Sequence, residues 1–135
     1  MVVTFKHIGI AVEHLEDTVN RYKAMTGIKD VSLEEYERDG LHYNIAIVDL
    51  GGIPLELIQP LTKKGMAQEH LDHFGPGVYH FAVEVSDLDE SLSVIHKRGI
   101  KTNTIRKGVH GEQICFLKQE ILPGIFLELI EKSKG

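Results

Sequence analysis

A chain of 135 residues, 42% of them hydrophobic, carries enough apolar material for one packed domain. Its net charge of -5 comes from interspersed carboxylates and amines, with no basic stripe to neutralise a row of phosphates, which excludes nucleic acid as a partner. The lone Cys115 has no second cysteine to bond, no apolar run approaches the roughly 20 residues of a membrane span, and residues 1–12 lack the form of a leader, so the expectation is a soluble, unprocessed chain in a reducing, cytoplasmic setting without a membrane partner.

The chain opens on Phe5-Lys6-His7-Ile8-Gly9-Ile10-Ala11-Val12, an apolar, β-branched run that reads as a strand with a histidine inside it. Eight residues after His7, Leu15 starts an amphipathic stretch over 15–26. Leu15, Val19, Tyr22 and Met25 recur there at the three- and four-residue steps of one buried helix face, and Gly27 stops the helix. Short strands are expected at about 31–37 and 42–50, followed by the run Gly52-Ile53-Pro54-Leu55-Glu56-Leu57-Ile58. The stretch 59–76, with Pro60, Gly65, Gly75 and Pro76 at its ends, is the one plausible linker, and its middle, 66–74, is a candidate short helix.

The pattern then repeats. Val78-Tyr79-His80-Phe81-Ala82-Val83-Glu84-Val85 again buries a histidine in a strand-like run, and eight residues after His80, Leu88 opens a helix over 88–98, with Leu92 and Ile95 on its apolar face and Gly99 at its end. Strands are expected at 101–105 and 113–117. The closing run Gly124-Ile125-Phe126-Leu127-Glu128-Leu129-Ile130 differs from its first-half counterpart at one position in seven, and the step from His to Glu is 49 residues in the first half and 48 in the second. Each half is therefore βαβββ: module one over about 1–60, a linker over about 61–76, and module two over about 77–135, making one domain over 1–135.

Glu56 and Glu128 are the anomaly in this pattern. An ionised carboxylate inside an apolar strand survives only when it is paired, hydrogen-bonded or bound to a metal. Side chains alternate along a strand, so Glu128 shares its face with Phe126 and Ile130 while Ile125, Leu127 and Leu129 point the other way; neither face looks like a free solvent face. Taken singly, a strand histidine is a hydrogen-bonded core residue and a strand glutamate points to solvent or a lysine. The matched His-to-Glu spacing reverses that preference. Halves packed about a pseudo-twofold would bring His7, Glu56, His80 and Glu128 to one divalent metal ion, and imidazole with carboxylate suits Zn, Co, Ni, Mn or Fe. Four protein ligands in an octahedral shell leave two positions for substrate oxygens, a catalytic arrangement; a closed structural site more often uses cysteine. Of the other histidines, His14 and His96 fall at helices and His70 and His73 flank the linker, as solvated or capping residues. His42 and His110, the latter in Gly108-Val109-His110-Gly111, stay open as residues near a ligand.

These motifs resemble the vicinal oxygen chelate superfamily (glyoxalase, bleomycin resistance and dioxygenase proteins) over almost the whole chain. The resemblance implies an α+β fold in which two βαβββ modules form an incompletely closed mixed β barrel around a metal, with ligands at the positions of His7, Glu56, His80 and Glu128. Within it, His7-Ile8-Gly9-Ile10-Ala11-Val12, Leu55-Glu56-Leu57-Ile58-Gln59-Pro60, Gly75-Pro76-Gly77-Val78-Tyr79-His80, Gly124-Ile125-Phe126-Leu127-Glu128-Leu129 and the 108–111 loop are most similar to methylmalonyl-CoA epimerases. The chain departs from that family in having Lys118, Gln119 and Glu120 where a His-Pro-Lys is usual, and Tyr79 where a second histidine is usual.

The resemblance implies a metal-dependent enzyme that removes a proton next to a carbonyl while the metal holds the enolate, with Glu128 as base and Glu56 serving the opposite face. The external glutamate of some epimerases would fall near Asn44, an amide unable to act as a base. The implied partner is a thioester substrate, an acyl-CoA or a glutathione adduct, and a second copy of the chain in a homodimer. Lactoylglutathione lyase (glyoxalase I) is the alternative activity. An extradiol dioxygenase is disfavoured by Glu56 as a fourth ligand and by the short chain, and a non-enzymatic drug-binding protein would have no reason to keep four ligand-type residues.

Overall fold

The computed structural model of the chain describes residues 3–117 and 124–133. Its contacts divide into two compact units, His7–Tyr79 and a second made of Met1–Lys6 with His80–Gly135. The fold is α+β throughout, and among the described residues no helix is long and apolar enough to cross a membrane.

The unit His7–Tyr79 holds most of strand β1 (Val3–Ala11), helix α1 (Leu15–Thr26), strands β2 (Val31–Arg38), β3 (Leu41–Leu50) and β4 (Ile53–Pro60), and helix α2 (Met66–Phe74). Its strands lie in the order β2-β3-β4-β1, antiparallel except for the parallel pair β4 and β1. Leu15 and Val19 of α1 pack on Val12, Ala46, Val48, Leu55 and Leu57. Because side chains alternate, putting Leu55 and Leu57 under the helix sends Glu56 and Ile58 to the opposite face of β4. Gly27 ends α1 in the left-handed conformation at φ 75°, and its N–H donates to the Lys23 carbonyl at 2.9 Å. The apolar face of α1 is shorter than its periodicity predicts: Leu15 and Val19 are buried and Tyr22 packs on the same core, but Met25 is 73% exposed. Strand β4 extends through Gln59 and Pro60, where the sequence pattern placed the start of the linker; proline is tolerated there because it sits at the end of the ladder, opposite Tyr43.

The second unit repeats the plan with β5 (Gly77–Val85) from His80 onward, α3 (Leu88–Lys97), β6 (Arg106–Lys107), β7 (Gln113–Phe116) and β8 (Phe126–Glu131). The order is β5-β8-β7-β6, again antiparallel except for one parallel pair, β5 with β8. Leu88, Leu92 and Ile95 of α3 pack on Val85, Cys115, Leu117 and Leu129. One expected strand is displaced. Residues 101–105 form no ladder: Thr102 makes an isolated bridge to Leu117, the Asn103 N–H donates to the Phe116 carbonyl at 2.9 Å, and the Cys115 thiol donates to the Asn103 carbonyl at 3.1 Å. With those backbone groups satisfied one at a time, regular pairing starts only at Arg106 opposite Ile114. The departure from the epimerase pattern at 118–120 lies outside the described residues.

Candidate functional site

In the first unit, β1 and β4 run parallel with Gly9 opposite Glu56, so His7 sits two residues before the glutamate's partner, on the same face. The His7 Nε2 to Glu56 Oε2 distance is 3.5 Å, with 11% and 17% of the side chains exposed. Ile47 of β3 lies opposite Glu56, and Ile45 and Glu34 continue that face outward as a cross-strand pair. Further along it, the rings of Tyr36 and Tyr43 stack with centroids 5.7 Å apart.

The second unit reproduces this register on its own strands. Ala82 of β5 is opposite Glu128 of β8, so His80 again precedes the glutamate's partner by two, and its Nε2 stands 3.3 Å from Glu128 Oε1. This pair is the more deeply buried, with 2% and 9% of the side chains exposed. Its surroundings are aromatic: Phe116 lies opposite Glu128 and meets the His80 ring edge-on at 5.4 Å, and Phe126 lies opposite His80 and meets Phe116 edge-on at 6.4 Å. The Arg106 guanidinium carbon sits 5.4 Å over the Phe116 ring.

The nitrogen–oxygen separations bear on what each pair can hold. A charge-assisted hydrogen bond closes to about 2.7–2.9 Å. Two ligand atoms sharing one cation, with bonds of about 2.1 Å at octahedral or tetrahedral angles, stand about 3.0–3.4 Å apart. Separations of 3.3 and 3.5 Å are both longer than such a hydrogen bond; the 3.3 Å of His80–Glu128 falls within the span of ligand neighbours and the 3.5 Å of His7–Glu56 just beyond it. Each unit supplies one imidazole nitrogen and one carboxylate, half of a set that suits Zn, Co, Ni, Mn or Fe.

The remaining histidines are accounted for locally. His42 Nε2 faces two exposed carboxylates, Glu35 at 3.2 Å and Glu37 at 3.7 Å. Even-numbered residues of β3 point away from Glu56, since Ile47 is the residue opposite it, so His42 and Asn44 both lie on the far face. At Asn44 even a carboxylate would be turned away from the His7–Glu56 pair. The His110 N–H donates to Glu112 Oε2 at 2.8 Å in the β6–β7 turn. His96 Nε2 meets Thr102 Oγ1 at 2.9 Å, and the His73 ring N–H donates to the Glu69 carbonyl at 2.8 Å. His70 packs against the rings of Phe74 and Tyr79, and burial lowers its pKa below the ordinary value. His14 precedes α1 without capping it through its side chain. That cap comes from Gln59, whose Oε1 accepts from the Leu15 N–H at 2.7 Å, and in the second unit Glu131 Oε2 accepts from the Leu88 N–H at 2.9 Å. Both caps stand three residues after the glutamate of their strand, at equivalent positions of the two units.

Residues 6–116 match the family description "Glyoxalase/Bleomycin resistance protein/Dioxygenase superfamily", and the chain belongs to that superfamily. Among curated proteins it is 30% identical over 127 residues to YqjC of Bacillus subtilis, an uncharacterized protein, covering 93% of this chain and 89% of that one. Among solved structures it is similar to a methylmalonyl-CoA epimerase from Mycobacterium tuberculosis, at 27% identity with a TM-score of 0.80, covering 96% of this chain and 88% of the other. It is also similar to a methylmalonyl-CoA epimerase in complex with methylmalonyl-CoA and NH4+, at 27% identity with a TM-score of 0.83, covering 98% and 96%.

Proposed function

We propose that His7, Glu56, His80 and Glu128 together hold one divalent metal ion and that the protein abstracts a proton beside the carbonyl of a thioester, as in epimerisation of methylmalonyl-CoA or a related acyl-CoA. The observation that carries this reading is the duplicated register: in each unit a buried histidine and a strand glutamate, Glu128 buried and Glu56 partly buried, occupy adjacent parallel strands with the same two-residue offset, 3.3 and 3.5 Å apart. Two such half-sets make four ligands of the right chemistry. The 27% identity to methylmalonyl-CoA epimerases over nearly the whole chain supports the substrate class.

When bound, the ion supplies an electrophile that polarises a substrate carbonyl. The chain's own part is to move the proton. Glu128, walled by Phe116 and Phe126, takes the proton from the carbon, and Glu56 returns one from the opposite face, so that one carbon changes configuration. The aromatic wall of the second unit excludes water from the base, and Tyr36 and Tyr43 of the first extend the face on which Glu56 stands.

The test is metal content by mass spectrometry on untagged protein, together with exchange of the substrate α-proton into deuterated water followed by NMR. Near-stoichiometric metal in the native chain, lost in both His80→Ala and Glu128→Ala, with exchange on methylmalonyl-CoA, is the expected result. Absence of metal under every reconstitution would sink the reading. Turnover of the methylglyoxal–glutathione adduct without exchange on the acyl-CoA would transfer it to lactoylglutathione lyase activity.

A further inference from the structure

The second unit carries a cation that neither the metal set nor the proton steps use. Arg106 of β6 lies opposite Ile114 on β7, two residues from Phe116, and its guanidinium carbon stands over the Phe116 ring at cation–π distance, 5.4 Å from the centroid. The same ring touches His80, so the guanidinium stands no farther from the His80 imidazole than two ring contacts of 5.4 Å laid end to end. A cation–π contact engages the charge of the guanidinium without using up its five N–H donors, which remain suited to a bidentate oxyanion. Among the described residues no carboxylate stands within ion-pair distance of Arg106. Glu112, in the adjoining turn, is engaged with the His110 N–H.

Duplication does not explain this residue. Counting outward from the buried glutamate, Glu128 leads to Phe116, Ile114 and Arg106, and Glu56 leads to Ile47, Ile45 and Glu34. The two units thus place opposite charges at equivalent positions of equivalent faces. Arg106 is partly buried and, among the described residues, has no carboxylate beside it, so a partly desolvated guanidinium is left with donors suited to an anion.

We infer that Arg106 is an oxyanion-binding residue that receives the carboxylate of the substrate's acyl group and so selects carboxylated acyl thioesters over neutral ones. This rests on the proposed proton-abstracting activity for its setting, though not for its test. A coenzyme A phosphate is the other source of an oxyanion. The pantetheine arm, with two amide groups between sulfur and diphosphate, puts the nearest phosphate well beyond the reach of a residue one phenyl ring from His80. Arg106 is a specificity residue: it touches substrate without taking a proton.

Binding without turnover tests this, using titration calorimetry of metal-loaded full-length protein with methylmalonyl-CoA, propionyl-CoA and methylmalonyl-pantetheine. The native chain is expected to prefer methylmalonyl-CoA over propionyl-CoA by at least about tenfold, the scale of one charge-assisted hydrogen bond. Arg106→Gln removes that preference, and Arg106→Lys, which keeps the charge without the fork, restores part of it. Lys retains the cation over Phe116, so its partial rescue separates recognition from loss of fold. An unchanged preference in Arg106→Gln overturns the inference. A loss in Arg106→Gln that appears with both CoA ligands and vanishes with the pantetheine ligand also overturns it, assigning Arg106 to a phosphate. A chain that shows the preference but no α-proton exchange would refute the proposed activity and leave the anchor standing.

Discussion

The two units share a plan and differ in where they spend their residues. Unit one puts length into its outer hairpin, eight residues in β2 and ten in β3, and sets Ile47 opposite Glu56 with the Tyr36–Tyr43 stack further along that face. Unit two has outer strands of two and four residues, yet its His80–Glu128 pair is closer and more buried and is flanked by two phenylalanines and an arginine. What stays constant is the parallel strand pair with its two-residue offset. A one-residue slip there would turn the histidine and the glutamate of a pair to opposite faces, so register is the feature least free to drift, while the outer strands vary at little cost. In the proposed mechanism the deeper pair holds the base and the shallower one exchanges with substrate or solvent.

That assignment is broken or sharpened first by amide substitutions. Glu128→Gln is expected to lower the rate of α-proton exchange by about 10³–10⁴, the upper part of the range for a lost general base, and Glu56→Gln by about 10², its lower end. Rates measured on protein with matched metal content isolate the proton step. Equal losses would remove the distinction between the pairs.

Cores should respond alike where sites do not. Leu57 and Leu129 occupy equivalent positions on β4 and β8 and are 0% and 2% exposed. Truncation of either to alanine is expected to cost about 2–5 kcal/mol in urea unfolding, through lost transfer energy plus the cavity left behind. A cost confined to one of them would mean that only that unit limits cooperative unfolding.

Much of this plan was legible because it is written twice. The helices opening at Leu15 and Leu88 and the strands carrying His7, Glu56, His80 and Glu128 stand where periodicity and matched spacing predicted them. What escaped is what depends on pairing across strands. Phe116 faces Glu128, and Arg106 reaches Phe116, only because β7 takes a particular register on β8 and β6 on β7, which no local spacing encodes. The same holds for Gln59 and Glu131, which cap helices 44 and 43 residues away in sequence. Strand 101–105 was misplaced because propensity sees an extended segment but not whether its N–H groups find a ladder.

The caps offer a smaller test of the same comparison. Gln59→Ala and Glu131→Ala each leave a helix's first N–H without its acceptor, at about 0.5–2 kcal/mol. Glu131 also sets a carboxylate against the positive end of α3, worth about 0.3–1 kcal/mol more, so its removal should cost more and the difference should shrink in high salt. Thermal unfolding at low and high ionic strength reads this directly. A larger loss at Gln59 would reverse the ordering.

The smallest expected effect lies at a pair of equivalent small residues, Ala46 opposite Leu57 and Cys115 opposite Leu129, both 0% exposed. Unit one already does with a methyl group what unit two does with a thiol, so Cys115→Ala is expected to cost no more than about 1 kcal/mol. The thiol leaves a trace in pH dependence. Burial raises its pKa, against smaller opposing contributions from a hydrogen bond with Thr102 and the charge of Arg106. For an acid whose folded pKa lies above its unfolded value, nothing is lost while both states are protonated, and stability falls as pH rises through the unfolded value of about 8.5. Native protein should therefore lose stability between neutral and alkaline pH by an increment that Cys115→Ala removes, and Cys115 should resist alkylation at pH values where the unfolded chain reacts. Identical alkaline slopes for the two proteins would show that the thiol is as free to ionise in the fold as out of it.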